Sequence, residues 1–409
     1  MSAGDPAAAG QRERYFSPCP RGLEQPLATE LRALGAQVED TVAGGVSFSG
    51  TRRVAWLANL HSRIASRVLL LVAQGRYRDD DDLYRLANRT EWERWFGADL
   101  TLRVDVNAIR SPVRSLNYVT LRIKDGVVDR FRSRVGERPS IDTANPDVRV
   151  FGFLDERGAA LYLDLSGEPL FKRGWRTERE DKGEAPLKEN LAAGLLALAG
   201  WTPRQPLDDP FCCSGTIVIE AAQSALGIAP GLSRGFGFER LIDFDRAGWA
   251  ALRAEAVRRV QAAPLAAGPG LRIAASDSDP RAIEQTRRNA ERAGVPAGTI
   301  ELSVRDATQA PAPFEAPGVI VTNPPYGERI DLDAQAGADW PAIGAALRQR
   351  FGGWSAWVLS SDMELPRRLG IRERRRTPLY NGALECRLFG FEIFEPGALR
   401  PRRGARSPG

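Results

Sequence analysis

Residues 317–326 read PGVIVTNPPY, a short apolar run followed by an amide, two prolines and a phenol. Residues 319–321 are β-branched throughout, which is typical of a buried parallel strand. Two successive prolines cannot continue a strand or a helix, so this strand is expected to end near Thr322. Ligands of open α/β sheets bind outside the carboxyl ends of the strands. The stretch therefore predicts an α/β fold with a ligand site at Asn323.

The residues after this strand suit a substrate that carries an exocyclic amino group. The Asn323 side-chain oxygen and the proline-constrained carbonyl of Pro324 can accept the two amino hydrogens, and Tyr326 offers a flat ring for stacking. The nitrogen lone pair is then aimed at an electrophile, and no strong base is needed because the amine can lose its proton after alkylation. The motif resembles that of class I S-adenosylmethionine-dependent amino-methyltransferases, which implies catalytic roles for Asn323, Pro324, Pro325 and Tyr326. A proline turn after a strand is the alternative for these four residues taken alone.

Length and composition predict two or three domains without metal or membrane chemistry. The chain has 409 residues, of which 43% are hydrophobic, and no apolar run approaches the roughly 20 residues of a membrane helix. The first residues lack a signal-peptide pattern, so we expect a cytoplasmic protein. The four cysteines show no metal spacing, and the single histidine, His61, argues against histidine-based metal or triad chemistry. The net charge of +5 is compatible with a nucleic-acid partner.

The first 170 residues predict two small α+β units. Residues 14–75 show the β-α-β-β-α-β order of a ferredoxin-like unit, after an Ala- and Gly-rich leader, residues 1–13, that we expect to be disordered. Within residues 76–170, the four acids at 79–82 mark a helix start. Residues 113–133 then predict an amphipathic helix with a cationic face.

The cationic face of this helix suits an RNA backbone. A solvated surface is the alternative. The residues that we expect to contact RNA are Arg114, Tyr118, Lys124 and Arg130.

Several short motifs along the chain resemble one family, with similarity from about residue 15 to 396. They lie at residues 16–24, 62–67, 82–84, 147–150 and 163–167, and they keep step with the NPPY stretch. The family is the bacterial large-subunit ribosomal RNA guanine-N2 methyltransferases of the RlmL type.

The resemblance implies an order of domains along the chain. It implies a ferredoxin-like subdomain at 14–75, a THUMP RNA-binding domain at 76–170 and a polar linker at 171–185. A Rossmann-like class I methyltransferase domain at 186–396 would follow, with a seven-stranded, mostly parallel sheet whose last strand is antiparallel. A basic tail, residues 397–409, is expected to be disordered.

Residues 207–216, LDDPFCCSGT, predict a strand end, a tight turn and a helix start, where small residues let the backbone approach a ligand. The family has glycine where this chain has Cys213, and a positive φ there would cost cysteine about 1 kcal/mol. By resemblance, Asp277 would hold the ribose diol and Asp306 the adenine amino group of S-adenosylmethionine. The residues implied to bind this cofactor are Lys188, Asp209, Pro210, Cys212, Cys213, Ser214, Gly215, Thr216, Asp277, Asp306 and Asn323.

The resemblance implies methylation of the exocyclic N2 amino group of a guanine in 23S ribosomal RNA by a monomer. The NPPY geometry alone also suits guanine N2 of tRNA, adenine N6 of RNA or a glutamine side chain, although an RNA-binding half argues against glutamine. An RNA-binding assembly factor with a decayed cofactor loop is a non-enzymatic alternative. Intact Asp277, Asp306 and Asn323 argue against it.

Replacing Asp277 with Ala is expected to weaken S-adenosylmethionine binding by about 1.5–3 kcal/mol, because a carboxylate that accepts two hydroxyl hydrogens is lost. RNA affinity should change less. Calorimetry on Asp277→Ala and on the control Asp279→Ala checks this, since Asp279 is expected to cap the following helix. Unchanged cofactor affinity in Asp277→Ala would remove this residue from the site.

Overall fold

The computed structural model describes residues 10–176, 187–267, 270–325 and 339–395. Within them the chain forms two compact units. The first comprises the described residues of the ranges Met1–Cys19, Glu24–Arg173 and Ala229–Val257, and the second comprises those of the ranges Pro20–Leu23, Gly174–Ile228 and Arg258–Gly409. None of the helices in the described residues combines the length and the apolar character that crossing a membrane requires.

The first unit is built on a seven-stranded sheet with the order β2-β3-β1-β4-β7-β6-β5. Its strands are β1 (Glu13–Pro18), β2 (Gln37–Val42), β3 (Gly45–Gly50), β4 (Leu69–Gly75), β5 (Leu102–Ala108), β6 (Val148–Leu154) and β7 (Ala159–Asp164). Its helices before residue 173 are α1 (Glu24–Ala33), α2 (Arg52–His61), α3 (Asp80–Arg89) and α4 (Leu116–Arg134). The β-α-β-β-α-β order expected at the start of the chain is confirmed by the run from β1 to β4. The acids at 79–82 do begin a helix, because the Asp79 carboxylate accepts the Asp82 N–H at 2.8 Å.

The ferredoxin-like part and the segment after it share this one sheet. β4 pairs antiparallel with β7, from Leu69 opposite Asp164 to Gly75 opposite Ala159. The sequence pattern indicates which runs are strands, but it does not indicate which edges pair, because the backbone groups of an edge can pair with any strand.

Residues 229–257 belong to the first unit, although they fall within the range 186–396 that is expected from the sequence for the methyltransferase domain. The Arg234 guanidinium joins this segment to the loop after β7, donating to the carbonyls of Pro169 at 2.6 Å and Glu168 at 2.5 Å. Longer bonds reach the carbonyls of Ser166 and Lys172, both at 3.3 Å. Burial lowers the pKa of Arg234 to about 10, and this group remains charged at neutral pH.

An aromatic cluster completes the attachment of this segment. Phe238 stacks on Trp56 of α2 with ring centroids 5.6 Å apart, and Trp249 meets Phe238 edge-on at 5.0 Å. Phe236 and Phe244 lie against the same rings. Such contacts join residues nearly two hundred positions apart, so local sequence patterns do not show them.

The second unit is an open α/β sheet with the order β10-β9-β8-β11-β12-β14-β13. Its strands are β8 (Leu207–Asp209), β9 (Ile273–Asp277), β10 (Ile300–Val304), β11 (Val319–Thr322), β12 (Ser355–Ser360), β13 (Glu373–Asn381) and β14 (Leu384–Glu392). The remaining helices are α5 (Glu189–Ala199), α6 (Thr216–Ala225), α7 (Arg246–Ala267), α8 (Pro280–Arg292), α9 (Trp340–Arg350) and α10 (Leu365–Leu369); the first part of α7 belongs to the first unit.

The predicted seven-stranded, mostly parallel sheet is confirmed. The pairs from β10 through β12 are parallel, and β14 is antiparallel to both β12 and β13. The β13–β14 hairpin turns through Gly382 and Ala383, between the paired residues Asn381 and Leu384, and Gly382 has a φ of +65°. Strand order reverses between β8 and β11, and such a switch point is where ligands bind in open α/β sheets.

Arg234→Lys is expected to lower the free energy of unfolding of the first unit by roughly 2–4 kcal/mol, because one ammonium cannot reach four carbonyls that a guanidinium spans. Hydrogen exchange should accelerate in residues 166–172. Arg246→Lys is the control, since Arg246 is exposed on the same segment. Equal exchange in both variants would show that Arg234 does not hold the segment.

Candidate active site

The carboxyl ends of β8 and β11 bring the two chemical motifs together. The Thr322 hydroxyl donates to Asp209 Oδ1 at 2.6 Å, and the Phe211 N–H donates to the same oxygen at 3.2 Å. Thr322 and Asp209 are both almost completely buried. Burial raises the pKa of Asp209 to about 7, and the hydrogen bonds from Thr322 and Phe211 oppose that rise. The loop that follows β8 and the NPP stretch are thus joined directly.

Asp208 is a second buried carboxyl beside this edge that the sequence analysis did not single out. Burial and, after it, the charge of Asp209 together raise its pKa to about 8, and the charge of Arg305 opposes that rise. A carboxyl of this kind is largely protonated at neutral pH. Adjacent acids at the end of a buried strand were the sequence signal for it.

The loop between β8 and α6 has the strain that the sequence suggested. Cys213 has a φ of +49°, and only one other non-glycine residue in the described part of the chain, Arg110, has a positive φ. Gly215 follows at +81°. A Cβ at Gly215 would lie 2.5 Å from Thr286 Cγ2, so glycine is needed there for space as well as for conformation.

Helix α8 holds this loop through two buried polar side chains that sequence analysis missed. Thr286 Oγ1 donates to the Cys213 carbonyl at 2.9 Å, and Asn289 Nδ2 donates to the Ser214 carbonyl at 2.8 Å. Both side chains are about fully buried. Polar residues three apart on the buried face of an amphipathic helix were the available signal.

Asp277 and Asp306 lie at the same edge, since Val304 pairs with Asp277 and the Arg305 N–H donates to the Asp277 carbonyl at 2.9 Å. The Asp277 carboxylate accepts the Cys213 N–H at 3.0 Å through Oδ2 and the Asp279 N–H at 3.0 Å through Oδ1. The exposed Asp306 carboxylate accepts two hydrogen bonds from Thr308, which lower its pKa. Backbone groups therefore orient Asp277 toward the loop.

The start of α5 is held against the start of α6 by Arg176. Its guanidinium donates to the Leu187 carbonyl at 3.0 Å and to Thr216 Oγ1, and it lies 3.6 Å from the Glu189 carboxylate. Lys188, one of the residues implied to bind cofactor, is exposed immediately before α5. The charged, polar sequence around Arg176 predicts only a linker.

Asn323 follows β11 directly, and its side-chain oxygen is buried with no hydrogen-bond partner among the described residues. Pro324 is buried and Pro325 is exposed. A buried acceptor without a donor costs about 1–3 kcal/mol, so this oxygen is suited to a donor that a ligand brings. Tyr326 lies outside the described residues, as do residues 1–9 of the expected leader, most of the linker and the basic tail.

The four residues expected to contact RNA differ in their contacts in the structure. Arg130 Nε lies 3.0 Å from both carboxylate oxygens of Glu93, and Lys124 lies 2.7 Å from Asp125. Arg114 and Tyr118 are exposed, and neither has an ion pair or ring contact within the described residues. The cationic face is therefore largely neutralised, while its amino-terminal end is not.

Comparison with known proteins agrees with this geometry. A sequence model described as "RMKL-like, methyltransferase domain" matches residues 176–389. The chain belongs to the RMKL-like methyltransferase family. An RlmL ferredoxin-like domain matches residues 14–69 and a THUMP domain matches 77–164, which confirms the resemblance inferred from the motifs.

Relatives of this family member include both sequences and solved structures. Ribosomal RNA large subunit methyltransferase K/L of Syntrophotalea carbinolica is 41% identical over 393 residues, which is 93% of this chain and 54% of that protein. The chain spans about half the length of the curated relatives it matches. The crystal structure of "a possible methylase from Clostridium difficile 630" has a TM-score of 0.84 at 30% identity and covers 95% of this chain and 100% of that one. SMU.472, crystallised in complex with SAH, has a TM-score of 0.82 at 28% identity and covers 94% and 99%.

Cys213→Gly is expected to raise the free energy of unfolding of the second unit by about 1 kcal/mol, because glycine adopts a positive φ without steric cost. Cys213→Val should lower it by a similar amount, since β-branching is poorly tolerated there. Urea unfolding followed by tryptophan fluorescence measures both, with Cys213→Ala as a control that keeps the Cβ. Equal stability of the Gly and Ala variants would show that this φ stores no strain.

Proposed function

We propose that this chain methylates the exocyclic N2 amino group of a guanine in 23S ribosomal RNA and uses S-adenosylmethionine. One observation carries the proposal: the buried Asn323 oxygen, which has no hydrogen-bond partner among the described residues, lies at the switch point of the sheet, where β11 is joined to the glycine-containing loop after β8. The target follows from the large-subunit ribosomal RNA methyltransferases that it resembles.

The residues at the sheet edge fit this cofactor. Asp277 is held by backbone N–H groups in a position suited to a ribose diol, and Asp306 stands on the neighbouring strand end for an adenine amino group. The loop from Asp209 to Thr216 and the exposed Lys188 complete the proposed set. SAH bound to the SMU.472 structure supports the same cofactor class. When bound, the cofactor supplies an electrophilic methyl group.

The chain's own part in the reaction is to position the amine. The Asn323 oxygen and the Pro324 carbonyl accept the two amino hydrogens, which fixes the direction of the nitrogen lone pair. Fixed dipoles then stabilise the positive charge that develops on nitrogen, without reorganising. Positioning the amine against the methyl group supplies much of the remaining rate enhancement. Because base pairing and stacking shield that amino group, the guanine must leave its stack, and Tyr326 is proposed to receive its ring.

We further propose that the protein acts as a monomer, that it is located in the cytoplasm, and that the reaction uses no metal ion. Among the described residues no group of three or more His, Cys, Asp or Glu side chains is placed to hold a metal ion. Mass spectrometry of nucleosides from treated 23S ribosomal RNA tests the product directly. Appearance of N6-methyladenosine, or methylation of tRNA alone, would replace the guanine assignment, and failure to bind S-adenosylmethionine would favour a non-enzymatic assembly factor.

Asn323→Ala is expected to lower the single-turnover rate by about 10²–10³, the range for losing one preorganised polar partner. Affinity for S-adenosylmethionine should barely change, because the lost contacts are to the substrate amine. Tyr326→Phe should be mild and Tyr326→Ala severe. Asn145→Ala, an exposed amide in the first unit, is the control. Near-normal turnover by Asn323→Ala on ribosomal RNA would exclude this mechanism.

A further inference from the structure

Four strand ends of the first unit align in one row. Ala108 of β5 pairs with Leu154 of β6, Leu154 pairs with Ala159 of β7, and Ala159 pairs with Gly75 of β4. The segments beyond this row therefore leave the sheet at the same edge. They are the loop after β4, the loop after β5 and the turn between β6 and β7.

Tyr77 ties these three segments together. Its hydroxyl lies 2.6 Å from Ser111 Oγ and donates to the Asp155 carbonyl at 3.0 Å. The Asp155 side chain in turn accepts the N–H groups of Arg157 and Gly158 at 2.7 and 2.8 Å. Hydrogen bonds therefore hold the three segments together at this edge, and the Asp155 carboxylate is used by backbone N–H groups of its own turn.

Each of the segments presents an exposed arginine at this edge. We name the set of Arg76, Arg110, Arg114 and Arg157 the arginine edge. Within the described residues none of the four has an ion-pair partner, and Glu156 is the exposed acid of the β6–β7 turn. On α4, by contrast, Arg122 pairs with Asp81 at 2.5 Å, and Lys124 and Arg130 are paired as well.

Arg110 also has an unusual backbone conformation, with a φ of +52°. This conformation costs a residue with a Cβ about 1–2 kcal/mol. Strained residues persist where surrounding structure fixes them, and they cluster at sites that bind ligands. The other non-glycine residue with positive φ in the described chain is Cys213, in the candidate cofactor loop.

Apolar surface lies next to these charges. Ile109, Leu116 and Tyr118 are 50%, 42% and 52% exposed. Tyr118 stands in the first turn of α4, where the Ser115 hydroxyl accepts the Tyr118 N–H at 3.3 Å. Unpaired cations beside an exposed aromatic ring are the combination with which proteins bind a single nucleic-acid strand, through its phosphates and one stacked base.

We propose that the arginine edge docks a single-stranded segment of the substrate RNA, with phosphates on its arginines and a base on Tyr118. The proposal rests on the proposed function only for the identity of the RNA. It adds Arg76, Arg110 and Arg157 to the residues that the sequence predicts to contact RNA. It removes Lys124 and Arg130 from that set, because each of them is paired with a carboxylate of the chain.

The test compares two triple variants of the 409-residue chain that lose the same charge. One replaces Arg76, Arg110 and Arg157 with Gln, and the other replaces Arg32, Arg89 and Arg138, which are exposed in the same unit and lie outside the arginine edge. Binding of in vitro transcribed 23S ribosomal RNA is measured over a series of salt concentrations, with poly-L-glutamate as a competitor. Turnover by the unaltered chain on the same RNA is measured alongside.

The edge variant should bind about 10-fold or more weakly, and the slope of log affinity against log salt should fall by about 2, since each single-strand phosphate contact contributes roughly 0.7. The control variant should keep the slope of the unaltered chain, and saturating RNA should restore the turnover of the edge variant. Tyr118→Ala should weaken binding without changing the slope, because stacking releases no counterions.

Equal losses in the two triple variants would reduce the effect to net charge and overturn the proposal, as would unchanged binding in the edge variant. Displacement of RNA by poly-L-glutamate as effective as by unlabelled RNA would assign the surface to an acidic polypeptide instead. Each of these results can occur while the unaltered chain still methylates ribosomal RNA. Loss of turnover in the unaltered chain would refute the proposed function without deciding where RNA binds.

Discussion

The hydrogen bond from the Thr322 hydroxyl to the Asp209 carboxyl is the interaction on which the candidate site depends. It joins the ends of two adjacent parallel strands at the switch point of the second sheet. On one side the chain turns into the loop before α6, and on the other it enters Asn323 and the prolines. Because both partners are buried, the bond lies in a low dielectric and fixes one arrangement of the two motifs. A shift of either strand end would separate the proposed substrate acceptor from the proposed cofactor loop.

The loop before α6 shows how local strain is supported by neighbours. Cysteine at a positive φ is unfavourable by itself, and yet both its backbone groups are engaged: its N–H by Asp277, and its carbonyl by Thr286. Helix α8 thereby stabilises a backbone conformation that the loop sequence does not favour. The same contacts orient Asp277, so the support of the strained loop and the placement of the proposed ribose-binding carboxylate are one network.

In the first unit, pairing decides which charges remain available. A count of cations along α4 suggests a basic face, but Glu93, Asp125 and Asp81 neutralise much of it. Surface ion pairs contribute little to stability, about 0–1 kcal/mol. Their consequence here is that the positive charge of α4 is partly cancelled by neighbouring carboxylates, which weakens its attraction for an RNA. Arg76, Arg110, Arg114 and Arg157, which have no ion-pair partner among the described residues, lie on loops that sheet register brings to one edge.

The sequence by itself determined the strand-and-helix order and the positions of the chemical motifs, and its resemblance to a family implied the antiparallel last strand. These depend on apolar periodicity, proline and glycine punctuation and short motifs, which are local properties of the chain. It also marked Cys213 as the position where a positive φ would be costly. Only the tertiary structure decided that β4 pairs with β7, that residues 229–257 pack in the first unit, and that Thr286, Asn289 and Arg176 hold the loop. These contacts join residues far apart in sequence, and no local preference specifies which distant donor meets which acceptor.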